Sequence, residues 1–349
     1  MPLLTLRKPR HRVEGVDPFA AIHVLQATNA LRRAEKAQSI EQQASWVEIA
    51  LRGDSAAAPQ QAEGASLLAT CMNPSCGTNW LRLWRNRQQP RFEGQWACSP
   101  ACMRELIDRA VEREMGDDMR LKPAPHQHRI PLGLVLLSQG WITRDQLSAA
   151  LHAQRTVGKG RIGAWLMQQC GLPEERVTRA LSMQWGCPMF SLAGHQPSTV
   201  AVLAPRLLLD SYGILPLRVT AGRIAYLAFE DRIDAVAAHA VGRMNGLRTE
   251  TGLVPGSQYL RSHERMMDAA FPKLHVAEAT DTRALTALLT DTIERLRPAQ
   301  ARLVRLHKYF WLRAWRTSAG SAANAIPVAL LPRLHQVEDL LVAYAPQKG

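Results

Sequence analysis

The chain has 349 residues, more than one compact domain usually holds, which predicts two or three units of roughly 50–150 residues each. Hydrophobic residues, 46% of the total, suffice for real cores, and a formal charge of +13, spread along the chain, suits an anionic partner such as nucleic acid, a phosphorylated small molecule or a membrane surface. No window approaches the roughly 20 apolar residues of a membrane span, and the opening MPLLTLRKPRHR puts its apolar run before its charges, the reverse of a signal peptide. A cytoplasmic protein without membrane insertion is expected, its six cysteines serving as metal ligands or free thiols rather than disulfides.

Residues 1–65 read as a leader, partly disordered, with a helix over Asn29–Arg52 and then the linker composition SAAAPQQAEGAS. From residue 66 to 120 the character changes. Cys71-x4-Cys76 is followed, after twenty-one residues, by Cys98-x3-Cys102. Two close pairs at this separation fit a structural zinc site, with four thiolates closing a tetrahedron and leaving no position for a reactive water. Ser99 and Pro100 suit the cap and first position of a helix, so Cys98 lies just before that helix and Cys102 in its first turn, where the helix dipole favours a thiolate. In outline the pattern resembles a treble-clef finger. His126 and His128 lie in the following Pro-rich linker and are read as solvated.

Gly158 to Gly163 spells GKGRIG, which matches G-x-G-x-x-G letter for letter. A dinucleotide loop needs a strand before it and an acid about twenty residues on. Here a helical pattern precedes it and Met183 stands at the distal position, so both tests fail. Repetition explains the glycines instead. PLGLVLLSQGWITRDQLSAALHAQ, from Pro131, and RIGAWLMQQCGLPEERVTRALSMQ, from Arg161, align without a gap at an offset of thirty. Leu132 matches Ile162, Gly133 matches Gly163, Leu136 matches Leu166, Leu151 matches Leu181, and Gln154 matches Gln184. Each copy reads as a short helix, a turn and a longer helix, with a Thr143/Gln146 capping box in the first.

Beyond the repeat pair at 129–185, residues 186–262 change period. YGILPLRV and GRIAYLAF read as strands joined at a turn, and AVAAHAVGRMNG as a helix ending at Gly246, an α+β pattern. Residues 263–349 continue the mixture as a C-terminal α+β unit, with a helix at Ala284–Arg297, a strand at Arg302–Trp315, a flexible TSAGSAANA loop and the apolar VEDLLVAY. The whole is therefore an α+β, multidomain chain: a helical repeat pair plus a small α/β unit, with an N-terminal zinc-binding module.

Taken together, the twice-used R-L-G-x-x-L-x-x-x-G-x-x-x-x-x-x-L-x-x-A-L-x-x-Q pattern, the ILPLRV segment at Ile214 and the GRIAYLAF hairpin resemble the MshEN domain, the N-terminal domain of type II secretion and type IV pilus assembly ATPases. The resemblance spans about Arg129 to Leu260. It implies cyclic di-GMP as a ligand, held by Leu132, Gly133, Leu136, Leu151 and Gln154 of the first copy and Arg161, Ile162, Gly163, Leu166, Leu181 and Gln184 of the second. Copy one has Pro131 at the arginine position, with Arg129 two residues upstream, and copy two has Cys170 at the second glycine position. The resemblance also implies secretion or pilus apparatus proteins as partners.

No phosphate loop, H-E-x-x-H or G-x-S-x-G occurs, so the expectation is a non-catalytic sensor or adaptor. The alternative is a zinc-stabilised structural or nucleic-acid-binding protein. It would use two basic stretches sharing an echo, WLRLWR at Trp80 and WLRAWR at Trp311, each able as a strand to show two Trp and one Arg on one face.

Overall fold

The computed structural model describes residues 71–76, 90–120, 129–316 and 331–345. The expected leader, the Trp80–Arg85 echo, His126, His128 and the TSAGSAANA loop lie outside these residues. The protein is α+β, and no helix among the described residues is long and apolar enough to cross a membrane.

The repeats form four helices: α2 (Leu132–Ser138), α3 (Arg144–Val157), α4 (Ile162–Cys170) and α5 (Glu174–Trp185). Thr143 and Gln146 close the expected capping box at the start of α3. Val135, Leu136, Ala150, Leu166, Val177 and Ala180, at helical spacing, fill the core between the helices. Copy two turns one residue later than copy one. Gly140 holds the left-handed turn after α2 (φ +66°), whereas α4 runs on through Cys170 and turns at Gly171 (φ +62°). The glycine missing from position 170 is thus supplied by its neighbour.

Next come the short α6 (Pro197–Val200) and α7 (Arg206–Tyr212), then β3 (Leu215–Val219), β4 (Ile224–Phe229), α8 (Ala235–Asn245), β5 (Arg248–Leu253) and α9 (Gly256–Met267). The β3–β4 hairpin is antiparallel, and β5 returns parallel to β4 through α8, which needs a crossover helix. Asp234 caps α8, its carboxylate accepting from the Ala237 amide at 2.9 Å, and Gly246 ends the helix in the left-handed region, as the sequence suggested.

A second sheet runs in the order β2-β1-β7-β8-β9-β6. Its strands are β1 (Arg91–Phe92), β2 (Gln95–Trp96), β6 (Lys273–Ala279), β7 (Gln300–Leu306), β8 (Tyr309–Trp315) and β9 (Val337–Tyr344). Two expectations are corrected here. The single strand over Arg302–Trp315 is a hairpin that turns at His307 (φ +52°) and Lys308, a turn without the usual Asn-Gly or Asp-Gly signal. The division between the cysteine segment at 66–120 and the C-terminal unit at 263–349 also disappears, because β1 pairs parallel with β7. Helix α1 (Pro100–Arg120) packs with α10 (Thr282–Leu296) on one face, joining Ile107, Leu289, Phe310 and Leu312 in one core. Trp311 and Leu341 face the other way, toward the three-stranded unit. Strand β8 is therefore covered on both faces, which explains its apolar run without alternation.

Candidate functional site

The repeat starts are built by close helix approach. A Cβ on Gly133 would stand 2.6 Å from Leu147 Cδ1, and one on Gly163 would stand 2.9 Å from Val177 Cγ1, the matched residue of the other copy. At Gly163 the close neighbour is a stiff β-branched side chain, so only glycine fits without a shift, whereas at Gly133 it is the movable end of Leu147. The two glutamines that end the copies then cross over. Gln154 donates to the Gly160 carbonyl at 2.9 Å and Gln184 donates to the Ile130 carbonyl at 2.6 Å. Positions 130 and 160 are themselves thirty apart, so each copy's last glutamine holds the other copy's first turn, a pseudo-two-fold arrangement.

The residues singled out by sequence divide into three kinds. Leu136 and Leu166 have no exposed surface, and Gly133 and Gly163 are buried. These four pack inside the helix bundle and set how the helix starts lie against one another. Leu132, Leu151, Ile162, Leu181, Gln154 and Gln184 are half-buried at the rim. Arg161 is the exposed cation among them, and its guanidinium pairs with Asp231, on the loop between β4 and α8.

At copy one the chain uses Arg129 differently from Arg161. Its guanidinium lies 3.1 Å from the Trp185 ring centroid, a cation–π stack. This stack walls a pocket of about 430 Å3 together with Cys187, Arg232, Asp234 and His307. Burial, then the charge of Arg232, pull the Arg129 pKa below the usual arginine range, so an anion entering here relieves a cost already present. Burial pushes the Cys187 thiol up to about 11, leaving it neutral at pH 7. His307 shares a 2.8 Å hydrogen bond with Asp234 and stacks on Tyr212. Repetition could not signal Asp231, Arg232 or Trp185, because none has a like residue at the thirty-residue offset.

The cysteines converge. The four sulfurs of Cys71, Cys76, Cys98 and Cys102 lie within 4.8 Å of one another, with Cys76 to Cys98 at 3.5 Å and Cys98 to Cys102 at 3.6 Å. Bonds of about 2.3 Å in a tetrahedron place sulfurs about 3.8 Å apart, so the cluster can hold a metal ion with little movement. Ser99 Oγ accepts from the Cys102 amide at 3.2 Å, capping α1, and the Cys98 amide donates to Cys71 Sγ at 3.4 Å. Burial and the neighbouring thiols push the Cys98 thiol up to about 12, whereas hydrogen bonds from Ser99 and Asn73 pull the Cys102 thiol below its ordinary value.

The Trp311 segment does not form a surface platform. Trp311 and Arg313 do share a face, 4.8 Å apart by ring centroid, but both are fully buried. Asp339 accepts from Trp311 Nε1 and from Nε and a terminal nitrogen of Arg313, each at 2.8 Å.

No protein-family model matches the chain. Part of it is similar to the type IV pilus assembly ATPase PilB of Thermus thermophilus, 34% identical over 122 residues, which are 34% of this chain and 13% of PilB. It is also similar to bacteriophage adsorption protein B of Escherichia coli, 32% identical over 125 residues, 36% of this chain and 16% of that protein. The chain thus spans under a fifth of either relative. Among solved structures, MshE with cdg (cyclic di-GMP) is similar at 26% identity, covering 40% of this chain and 99% of that one, with a TM-score of 0.33.

Proposed function

We propose that residues 129–262 are a cyclic di-GMP-binding domain of the secretion and pilus ATPase N-terminal type, and that the chain is a non-catalytic cytoplasmic sensor or adaptor. The observation that carries this reading is the reciprocal pairing of the repeats through Gln154 and Gln184. Cyclic di-GMP has two identical halves, and two related helix starts offer each half a similar environment. Leu132, Leu151, Ile162 and Leu181 supply apolar contact for the purines. Arg161 supplies charge-assisted hydrogen bonds to a phosphate or to guanine acceptors. Arg129, stacked on Trp185, replaces the arginine absent at position 131. The similarity to PilB supports the secretion or pilus setting and partners from that apparatus.

Cys71, Cys76, Cys98 and Cys102 would hold a structural zinc, which supplies folding energy to the turn before α1. Ligand binding then acts by population shift, favouring the arrangement of repeats and flanking elements that both halves of the ligand can bridge. Calorimetric titration of the full chain should show saturable heat with cyclic di-GMP, weakened at least about tenfold by Arg161→Ala, the loss of a charged hydrogen bond. Absence of heat from folded protein at high micromolar ligand would refute the reading.

A further inference from the structure

Arg161 begins α4 with an extended backbone and makes no capping bond with its own helix. Its side chain reaches instead to Asp231, 71% exposed at the arginine and 29% exposed at the carboxylate. The more deeply set partner is thus the acid, held by a loop, while the guanidinium keeps donors turned to water. An anion approaching Arg161 meets a carboxylate already there.

We infer that Asp231 is a competing carboxylate built into the ligand site, one that lowers the affinity of Arg161 for anions and must yield when the ligand binds. The inference rests on the cyclic di-GMP reading above. A ligand phosphate at Arg161 either displaces Asp231 or sits beside it at a cost in like-charge repulsion, and both routes weaken binding. The cost falls hardest on ligands with a single anchoring point. A dinucleotide that also engages the second repeat start can offset it, whereas inorganic phosphate or GMP cannot, so Asp231 selects for the two-headed ligand. Displacement would reach further along the same loop. Arg232 lines the Arg129 pocket and Asp234 caps α8, so freeing Asp231 loosens a stretch anchored at its far end by a helix cap.

The test is calorimetry on the full chain with cyclic di-GMP and with GMP, for wild type, Asp231→Asn, Asp231→Glu and Arg161→Ala, at low and high salt. Removing one charge of a largely exposed pair should tighten cyclic di-GMP binding by about two- to fivefold and shrink the preference over GMP, with the gain fading at high salt. Asp231→Glu should resemble wild type. Thermal melts separate competition from plain support: Asp231→Asn should lower the melting temperature slightly without ligand yet enlarge the ligand-induced rise. Unchanged or weaker affinity in Asp231→Asn, with Arg161→Ala still impaired, would overturn this inference alone. No binding by any form would remove the receptor reading and this inference with it.

Discussion

The sheet half of the molecule and the repeat pair solve the same problem, holding elements together through polar side chains, in opposite ways. In the sheet half the ties that join separate elements at the core are buried and multiply bonded, beside surface pairs such as Arg316 with Glu338. Arg313 and Asp339 have no exposed side-chain surface, and Glu114 of α1, 1% exposed, accepts from Arg243 at 2.8 and 3.2 Å and from the Arg305 amide at 2.9 Å. Arg302 adds bonds to the last carbonyls of α8 at 2.6 and 2.9 Å. Around the repeats the ties lie near the surface: Arg161 to Asp231, and Glu174 to Ser257, whose amide donates at 2.8 Å. Buried pairs resist rearrangement because breaking one strands a charge in a low dielectric, while surface pairs exchange with water and ligand at little cost. The contrast separates a rigid platform from a part free to respond.

The largest effect should come from the cysteine cluster. Cys98→Ser, or a strong chelator, should release about one zinc per chain, read by a colorimetric metal assay, and should unfold the α1 turn in circular dichroism while leaving ligand heats at the repeats intact. Asp339→Leu should follow, costing about 3–5 kcal/mol in denaturant melts because Arg313 loses its buried counter-ion. By contrast, Arg161→Ala should cost under about 1 kcal/mol. Equal costs at the two sites would erase the distinction between platform and responder.

Smaller effects sharpen the view within the repeats. Gly163→Ala should destabilise by about 1 kcal/mol, because Val177 is β-branched and cannot turn aside. Gly133→Ala should be closer to neutral, since the end of Leu147 can move and alanine favours helix. The smallest effect concerns pH at α8. Burial pushes the Asp234 carboxyl up, but the His307 hydrogen bond and the Ala237 amide outweigh it and hold its pKa below the usual range. A depressed folded pKa means stability that is present above the unfolded value of about 4 and is lost as pH falls through the folded one. Asp234→Asn should therefore flatten the acid limb of a melting-temperature profile.

Much of the repeat domain was legible because its information is local. Helical period, an offset of thirty, the Thr143 cap and the hairpin before Ala235 all lie within short windows. The convergence of the cysteine pairs was legible because their spacing is one that a metal site would require. The missing parts are those set by distant partners. Nothing near Phe92 announces pairing with Ala301, and β1 contributes only two residues. Nothing near Arg313 announces its burial, because Asp339, which pairs with it, stands 26 residues on. Asp231 was invisible for the same reason: it faces Arg161 from seventy residues away.

The most direct test of the account is a calorimetric titration of cyclic di-GMP into the full chain beside Arg161→Ala and Arg129→Ala. One ligand per chain, lost or sharply weakened in Arg161→Ala and weakened less in Arg129→Ala, is the predicted result. A folded wild-type chain that gives no saturable heat would contradict it and leave the repeats as a protein-docking scaffold.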